Sequence, residues 1–206
     1  LKFLKTALVL ILLFSLIACQ TPTDEELYYK AQKKLNEMEG YTTLAKIYVQ
    51  RDAEEKEYIF QQTFQNPDKY RLEILAPENL KGNLTISNGK TAWIKHPAIN
   101  QVWRMQDFEQ SQEQLMFIGY FMRNLLNSED SRVEREMIEG KSYGVITTSL
   151  PGGSYYFYEQ KLWIDLKTLV PSHLHIVDEK GKVRFRVLYE DFVYNPKLED
   201  SLFNLN

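Results

Sequence analysis

Apolar and polar residues alternate along most of this chain. Leu44, Ile47 and Val49, then Tyr58, Phe60 and Phe64, then Tyr70, Leu72 and Ile74 are separated mostly by polar residues. A period near two predicts antiparallel strands with one face in water. The segment before them has a different period: Leu27, Ala31, Leu35 and Met38 recur at helical spacing and give one apolar stripe to a predicted helix. Thr23 or Asp24 is placed to cap its start, and the acidic turn Asp24-Glu25-Glu26 matches the positive end of the helix dipole. Gly40 is placed to end it. Turn signals follow at short intervals: Asn66-Pro67-Asp68, Ala76-Pro77-Glu78-Asn79, Ser87-Asn88-Gly89-Lys90, Pro151-Gly152-Gly153 and Glu179-Lys180-Gly181. Asn88-Gly89, between LTIS and TAWIK, predicts a hairpin with a type I′ turn, because both residues tolerate positive φ. Asp178 to Lys182 predict a second hairpin. Many short strands with regular turns point to one curved sheet or barrel.

Two stretches break the alternation. The first runs from Ala7 to Ala18, apolar except for Ser15, preceded by Lys2 and Lys5 and followed by Cys19 and a polar turn. A charged start, an apolar middle and a small-residue end are the parts of an export signal. The run is shorter than the roughly 20 residues a membrane span needs, which makes permanent insertion the weaker reading. Leu16-Ile17-Ala18-Cys19 resembles the bacterial lipobox, in which the cysteine thiol receives diacylglycerol and the chain is cut before it. A free cysteine is otherwise a core thiol; an internal disulfide is impossible with one cysteine in the chain. The expected organisation is a signal peptide over residues 1–18, a short tether over 19–24 and a single domain over 25–206. Such a protein is exported and held at the outer face of a membrane by its N-terminal lipid.

The second stretch, Gln112 to Asn127, reads QEQLMFIGYFMRNLLN and has apolar residues on nearly every face of a helical wheel. It is either a buried plug or lid, or an exposed face that docks a partner. Leu115, Phe117 and Phe121 are its candidate groove or lid residues. Trp93 and Trp103 join them if the sheet stays open, and are core residues otherwise.

Composition narrows the function. With 25 basic and 28 acidic residues, a formal net charge of −3 and basic residues spread singly, the chain has no nucleic-acid footprint. His173 and His175 share a strand face and could chelate a metal, but no third ligand has a helpful spacing, and His96 precedes a proline in a turn. Ordinary strand and turn histidines are the simpler reading, so no metal is expected. Ser15, Ser142 and Ser154 lie in no nucleophile elbow, and neither a phosphate-binding glycine loop nor a dinucleotide fingerprint is present. Carboxylate pairs such as Glu54-Glu55 and Glu129-Asp130 sit in polar, turn-like stretches. No catalytic set is proposed, and no cofactor beyond covalent lipid on Cys19.

The phrases FQNPDKYRLEI (64–74), SNGKTAWI (87–94), LWID (162–165), LVP (169–171) and LFN (202–204) occur in an order that resembles the LolA/LppX-like superfamily of lipoprotein carriers. With the lipobox, the order is most similar to the GerS-like spore germination lipoproteins of spore-forming clostridia. The resemblance implies a mainly β (α+β) fold, an unclosed, strongly curved antiparallel β-barrel with helices packed on its concave side as a lid. Arg123 is then a lone candidate latch on that lid. The spore branch implies a non-catalytic partner that binds and activates a cortex-modifying N-acetylmuramoyl-L-alanine amidase, a zinc enzyme. The wider superfamily implies the alternative, a carrier or binder of lipid or lipoprotein acyl chains in an apolar groove. A carrier must leave the membrane, which a lipidated Cys19 prevents.

Overall fold

The computed structural model describes residues 23–51, 54–106 and 112–205. Cys19, the signal segment over 1–18 and most of the 19–24 tether lie outside them. The first element is helix α1, Asp24–Asn36. Thr23 caps it in a capping box: the Thr23 hydroxyl accepts from the Glu26 N–H and the Glu26 carboxylate accepts from the Thr23 N–H. Reciprocal satisfaction of two end donors fixes where the helix begins. Ala31, Leu35 and Met38 are buried as the spacing predicts. Glu37, not Gly40, is the C-cap. Gly40 opens the first strand, where a Cβ would collide with the Phe64 carbonyl. Asn195 ties this corner together, accepting from the Glu39 and Gly40 N–H groups and donating to the Glu37 carbonyl.

Among the described residues eleven antiparallel strands follow: β1 Gly40–Arg51, β2 Glu54–Gln65, β3 Lys69–Ala76, β4 Leu84–Asn88, β5 Thr91–His96, β6 Gln101–Gln106, β7 Ser131–Ile138, β8 Lys141–Ser154, β9 Phe157–Asp165, β10 Val170–Val177 and β11 Val183–Tyr194. Helix α2, Ile118–Asn127, lies between β6 and β7, preceded by a 3-10 turn over Gln112–Met116. Both helices cover one face, where Tyr41, Ala45, Ile47, Phe60, Phe64, Tyr70, Leu72, Ile146, Leu162, Leu174 and Val187 meet them in one core. On β1 the inward residues are 41, 43, 45 and 47, so Leu44 sits on the opposite face, out of phase with Ile47. That opposite face carries two smaller clusters. Leu84, Ile86 and Trp93 are covered by Phe203 and Leu205 of the C-terminal segment, and Tyr143, Val145 and Trp163 form the other.

The strongly curved barrel implied by the resemblance is not formed. The strands pair in the linear order β6-β5-β4-β3-β2-β1-β11-β10-β9-β8-β7, and the sheet is neither closed nor strongly curled. The edge strands give the reason. Nearly every residue of β6 and of β7 is exposed, on both faces, so neither edge has a buried apolar face to wrap around the helices. The β4–β5 hairpin forms as predicted with a two-residue loop, but Gly89 alone takes positive φ, at +87°. That places the glycine at the first central position, the pattern of a type II′ turn and not of type I′. Asn88 instead accepts from the Lys90 and Thr91 N–H groups through its side chain. The β10–β11 hairpin turns at 178–182, with Gly181 at φ +77°.

Candidate functional site

The segment from Gln112 to Asn127 is the centre of the molecule. Met116, Phe117, Ile118, Tyr120, Phe121 and Met122 are buried, whereas Leu126 is 77% exposed. The Phe117 ring packs against Phe64, Tyr70 and Tyr120 at centroid separations of 6.0, 4.8 and 6.2 Å. Gly119 lies so close to Phe64 that any side chain there would collide with the ring.

Polar groups fix the same segment from several strands. Gln62 Nε2 donates to the Met116 carbonyl at 3.2 Å, and the Tyr189 hydroxyl donates to that carbonyl at 2.9 Å. Gln160 Nε2 donates to the Leu115 carbonyl at 2.7 Å. The Ile118 N–H donates to the Tyr41 hydroxyl at 3.1 Å, and Tyr41 donates on to Gln62 at 2.8 Å. Asn124 Nδ2 completes the set on Gln160 Oε1 at 2.8 Å. Burial raises the Tyr41 and Tyr189 hydroxyls well above the ordinary tyrosine range, so both stay protonated. Buried polar bonds that are all satisfied rigidify the element they hold. The segment is a pinned plug. At its outer end Arg123 pairs with Asp68 at 2.6 Å and lies 4.3 Å over the Tyr120 ring.

Sequence reasoning missed Tyr41, Gln62, Gln160 and Tyr189 as a functional group. The signal that could have found two of them is phase: Gln62 falls in step with Phe60 and Phe64, and Gln160 with Leu162 and Ile164. Both glutamines are fully buried.

Two cavities border the plug. A cleft of about 580 Å³ lies between α2, the β4–β5 turn and the β8–β9 hairpin, lined by Tyr120, Arg123, Asn124, Asn127, Ser87 and Ser154 among others. A groove of about 330 Å³ is lined by Ile47, Val49, Tyr58, Phe60, Met116 and Phe185, with Lys56, Gln112 and Glu113 also at its walls. Burial pushes the Glu113 carboxyl above the usual carboxylate range, opposed by a hydrogen bond with Thr85.

Of the five candidate groove or lid residues, Leu115, Phe117 and Phe121 meet at the main core, and Trp93 and Trp103 lie elsewhere. Phe117 and Phe121 are fully buried in the main core, and Leu115, half-buried, lines the cleft. Trp93 and Trp103 point to opposite faces, since Trp93 pairs with Arg104 and Trp103 with Ile94. Trp93 packs in the small cluster under Phe203, while Trp103 stands exposed on edge strand β6 with its ring 4.9 Å from His96.

The other titratable groups are spread. His173 and His175 lie on the face away from the helices, against Trp163 at 6.3 and 4.4 Å. Burial, then His173, Arg186 and Lys161, pull His175 down to about 4. Burial and then Arg186 lower His173, with Glu136 opposing. Trp163 donates to Glu136 at 2.6 Å. Among the described residues no three of His, Cys, Asp and Glu are grouped to hold a metal ion. The Ser142 hydroxyl accepts from Arg135, and Ser154 accepts from the Phe157 N–H closing its hairpin.

Against known proteins, the curated sporulation protein YdcC of Bacillus subtilis is 21% identical over 206 residues. The alignment covers 98% of this chain, which spans only 58% of that relative's length. Among solved structures, the CwlD amidase from Clostridioides difficile in complex with the GerS lipoprotein contains a GerS chain that is 29% identical. It matches with a TM-score of 0.52, covering 87% of this chain and 100% of that one. An uncharacterized conserved protein from Thermus thermophilus shares the fold at a TM-score of 0.55 and 18% identity, over 88% and 93% of the two chains. The family described as sporulation protein YdcC-like matches over residues 2–203, and the chain belongs to it.

Proposed function

We propose that this protein is a membrane-tethered, non-catalytic partner of a cortex amidase in sporulation, held by lipid on Cys19 and acting by binding. The observation that carries the reading is the likeness to the whole GerS chain, a lipoprotein solved in complex with the CwlD amidase. The interior supports it. Under the helices the sheet face is filled by Phe117, Phe121, Phe64 and Tyr70, and the plug is held there by buried bonds to four strands. The decisive test is copurification of the full chain with a CwlD-type amidase, with amidase activity measured with and without it. A complex and raised activity are expected; no complex and unchanged activity would end the reading. Cys19→Ala is expected to move the protein from the membrane to the soluble fraction with its melting unchanged. Continued membrane retention would assign the tether to the apolar segment instead.

The 330 Å³ groove favours a second reading, a binder of acyl chains, since its walls include Ile47, Val49, Phe60, Met116 and Phe185. Its size is at the low end of the roughly 300–1,000 Å³ of small-molecule pockets. Native mass spectrometry after gentle extraction decides it: a bound acyl chain supports this reading and an empty protein removes it.

A further inference from the structure

The β8–β9 hairpin carries four aromatic residues in succession, Tyr155, Tyr156, Phe157 and Tyr158, and the fold uses one. Phe157 packs inward against Phe185 at 5.6 Å and joins the main core. Tyr155, Tyr156 and Tyr158 remain 47%, 57% and 45% exposed. Clustered exposed rings on a soluble surface mark interaction sites.

Cations stand over these rings. Lys180 Nζ lies 5.6 Å from the centre of Tyr155 and the Arg184 guanidinium 5.0 Å from that of Tyr156, while the two rings meet edge to face at 5.4 Å. The patch is also rigid. The Glu179 N–H donates to the Tyr155 carbonyl at 3.2 Å, which joins the two hairpin tips, and Gly153 fits where a Cβ would crowd the Leu150 and Phe157 carbonyls. Asp178 is turned inward, accepting from the Lys180 and Lys182 N–H groups and from Arg184. The outward charges of that turn are therefore Lys180 and Lys182 against Glu179, a basic spot on a chain whose formal net charge is −3.

Place decides between a protein and a bilayer. Near the start of β8, a side chain at Gly144 would meet Leu166 and Tyr28 of α1, which places α1 against that end of the strand. The β8–β9 tip lies at the other end of that strand, and the ten residues from 144 to 154 separate it from the α1 contact by roughly 33 Å at about 3.3 Å per residue; the Glu179–Tyr155 bond holds the β10–β11 tip beside it. With the tether just before Thr23, as proposed above, the tips project away from the membrane.

We propose that Tyr155, Tyr156 and Tyr158, with Lys180 and Lys182, form the docking surface for a carboxylate-bearing face of the protein partner. This rests on the amidase-partner reading. Tyrosine is among the residue types that dominate binding hot spots, and flanking lysines steer an acidic partner. The test measures binding of the full chain in detergent to the purified CwlD-type amidase, for wild type, Tyr155→Ser/Tyr156→Ser and Lys180→Glu/Lys182→Glu, with cosedimentation on anionic phosphatidylglycerol vesicles alongside. The tyrosine pair is expected to weaken binding roughly 10- to 100-fold. The lysine pair, which keeps all three rings and removes only the cation over Tyr155, is expected to slow association and flatten its salt dependence. Equal binding by wild type and both variants overturns the docking surface and leaves the partner reading intact. Absence of wild-type binding overturns both. Loss of vesicle binding in the variants, with amidase binding retained, would make the tip a membrane contact and overturn the proposal.

Discussion

Under α2 the strands present Tyr41, Phe64, Tyr70 and Gln62; the polar atoms of Tyr41 and Gln62 reach a partner in the plug. Tyr70, which packs there as a ring, is held among Phe117 and Tyr120. On the opposite face β9, β10 and β11 carry Trp163, His173, His175 and Arg186, where His173 Nδ1, His175 Nε2 and Arg186 Nε are buried without a hydrogen bond. The bonded set under α2 and the histidine cluster opposite bury similar chemistry with different outcomes, while Glu113 Oε2 at the start of the plug is also buried without a hydrogen bond. A satisfied polar group fixes its neighbour, whereas an unsatisfied one costs free energy that depends on its protonation. The inner face therefore holds the fold, and the outer face makes it sensitive to acid.

The sharpest way to break this contrast is Phe117→Ala, expected to cost about 3–5 kcal/mol in denaturant unfolding because the ring is fully buried among aromatic neighbours. A loss below about 1 kcal/mol would mean that the plug carries little of the core. Next comes Tyr41→Phe, which keeps the ring but strands the Ile118 N–H and Gln62 Oε1; roughly 1–3 kcal/mol should be lost. On the outer face, His175 has a folded pKa of about 4, below its unfolded value of about 6.5. The unfolded chain binds more protons between those values, so stability present at neutral pH declines as pH falls from about 6.5 towards 4. Between about pH 7 and pH 5 the loss should be roughly 2 kcal/mol, and His175→Gln should flatten the profile. The smallest effect belongs to an edge: Val133→Thr on β7, exposed on a strand with no outer neighbour, should stay within about 0.5 kcal/mol.

Local devices were legible in the sequence. The Leu27-Ala31-Leu35-Met38 stripe, the Thr23 cap and the hairpins at 88–91 and 178–182 each depend on neighbours a few residues apart. The apolar character of 112–127 was equally plain, but its role as a fixed plug depends on Tyr41, Gln62, Gln160 and Tyr189, each at least 45 positions from the atom it holds. Alternation counted those glutamines as polar and hence wet, although their phase was inward. The sheet's curvature was misjudged for a related reason. Whether β6 and β7 bury a face depends on what lies above them, and the exposure of Val102, Trp103, Val133 and Met137 emerges only once the chain is assembled. Trp93 and Trp103 illustrate the same limit, since a single step of register placed them on opposite sides.

The amide of Ile118, sealed beneath the Tyr41 hydroxyl, gives the molecule a built-in clock. In deuterated buffer its proton can leave only when the region around it opens, so its exchange time reads directly how often the centre of the protein loosens. Followed before and after an amidase is added, that one signal would report whether docking at a distant hairpin is felt in the interior.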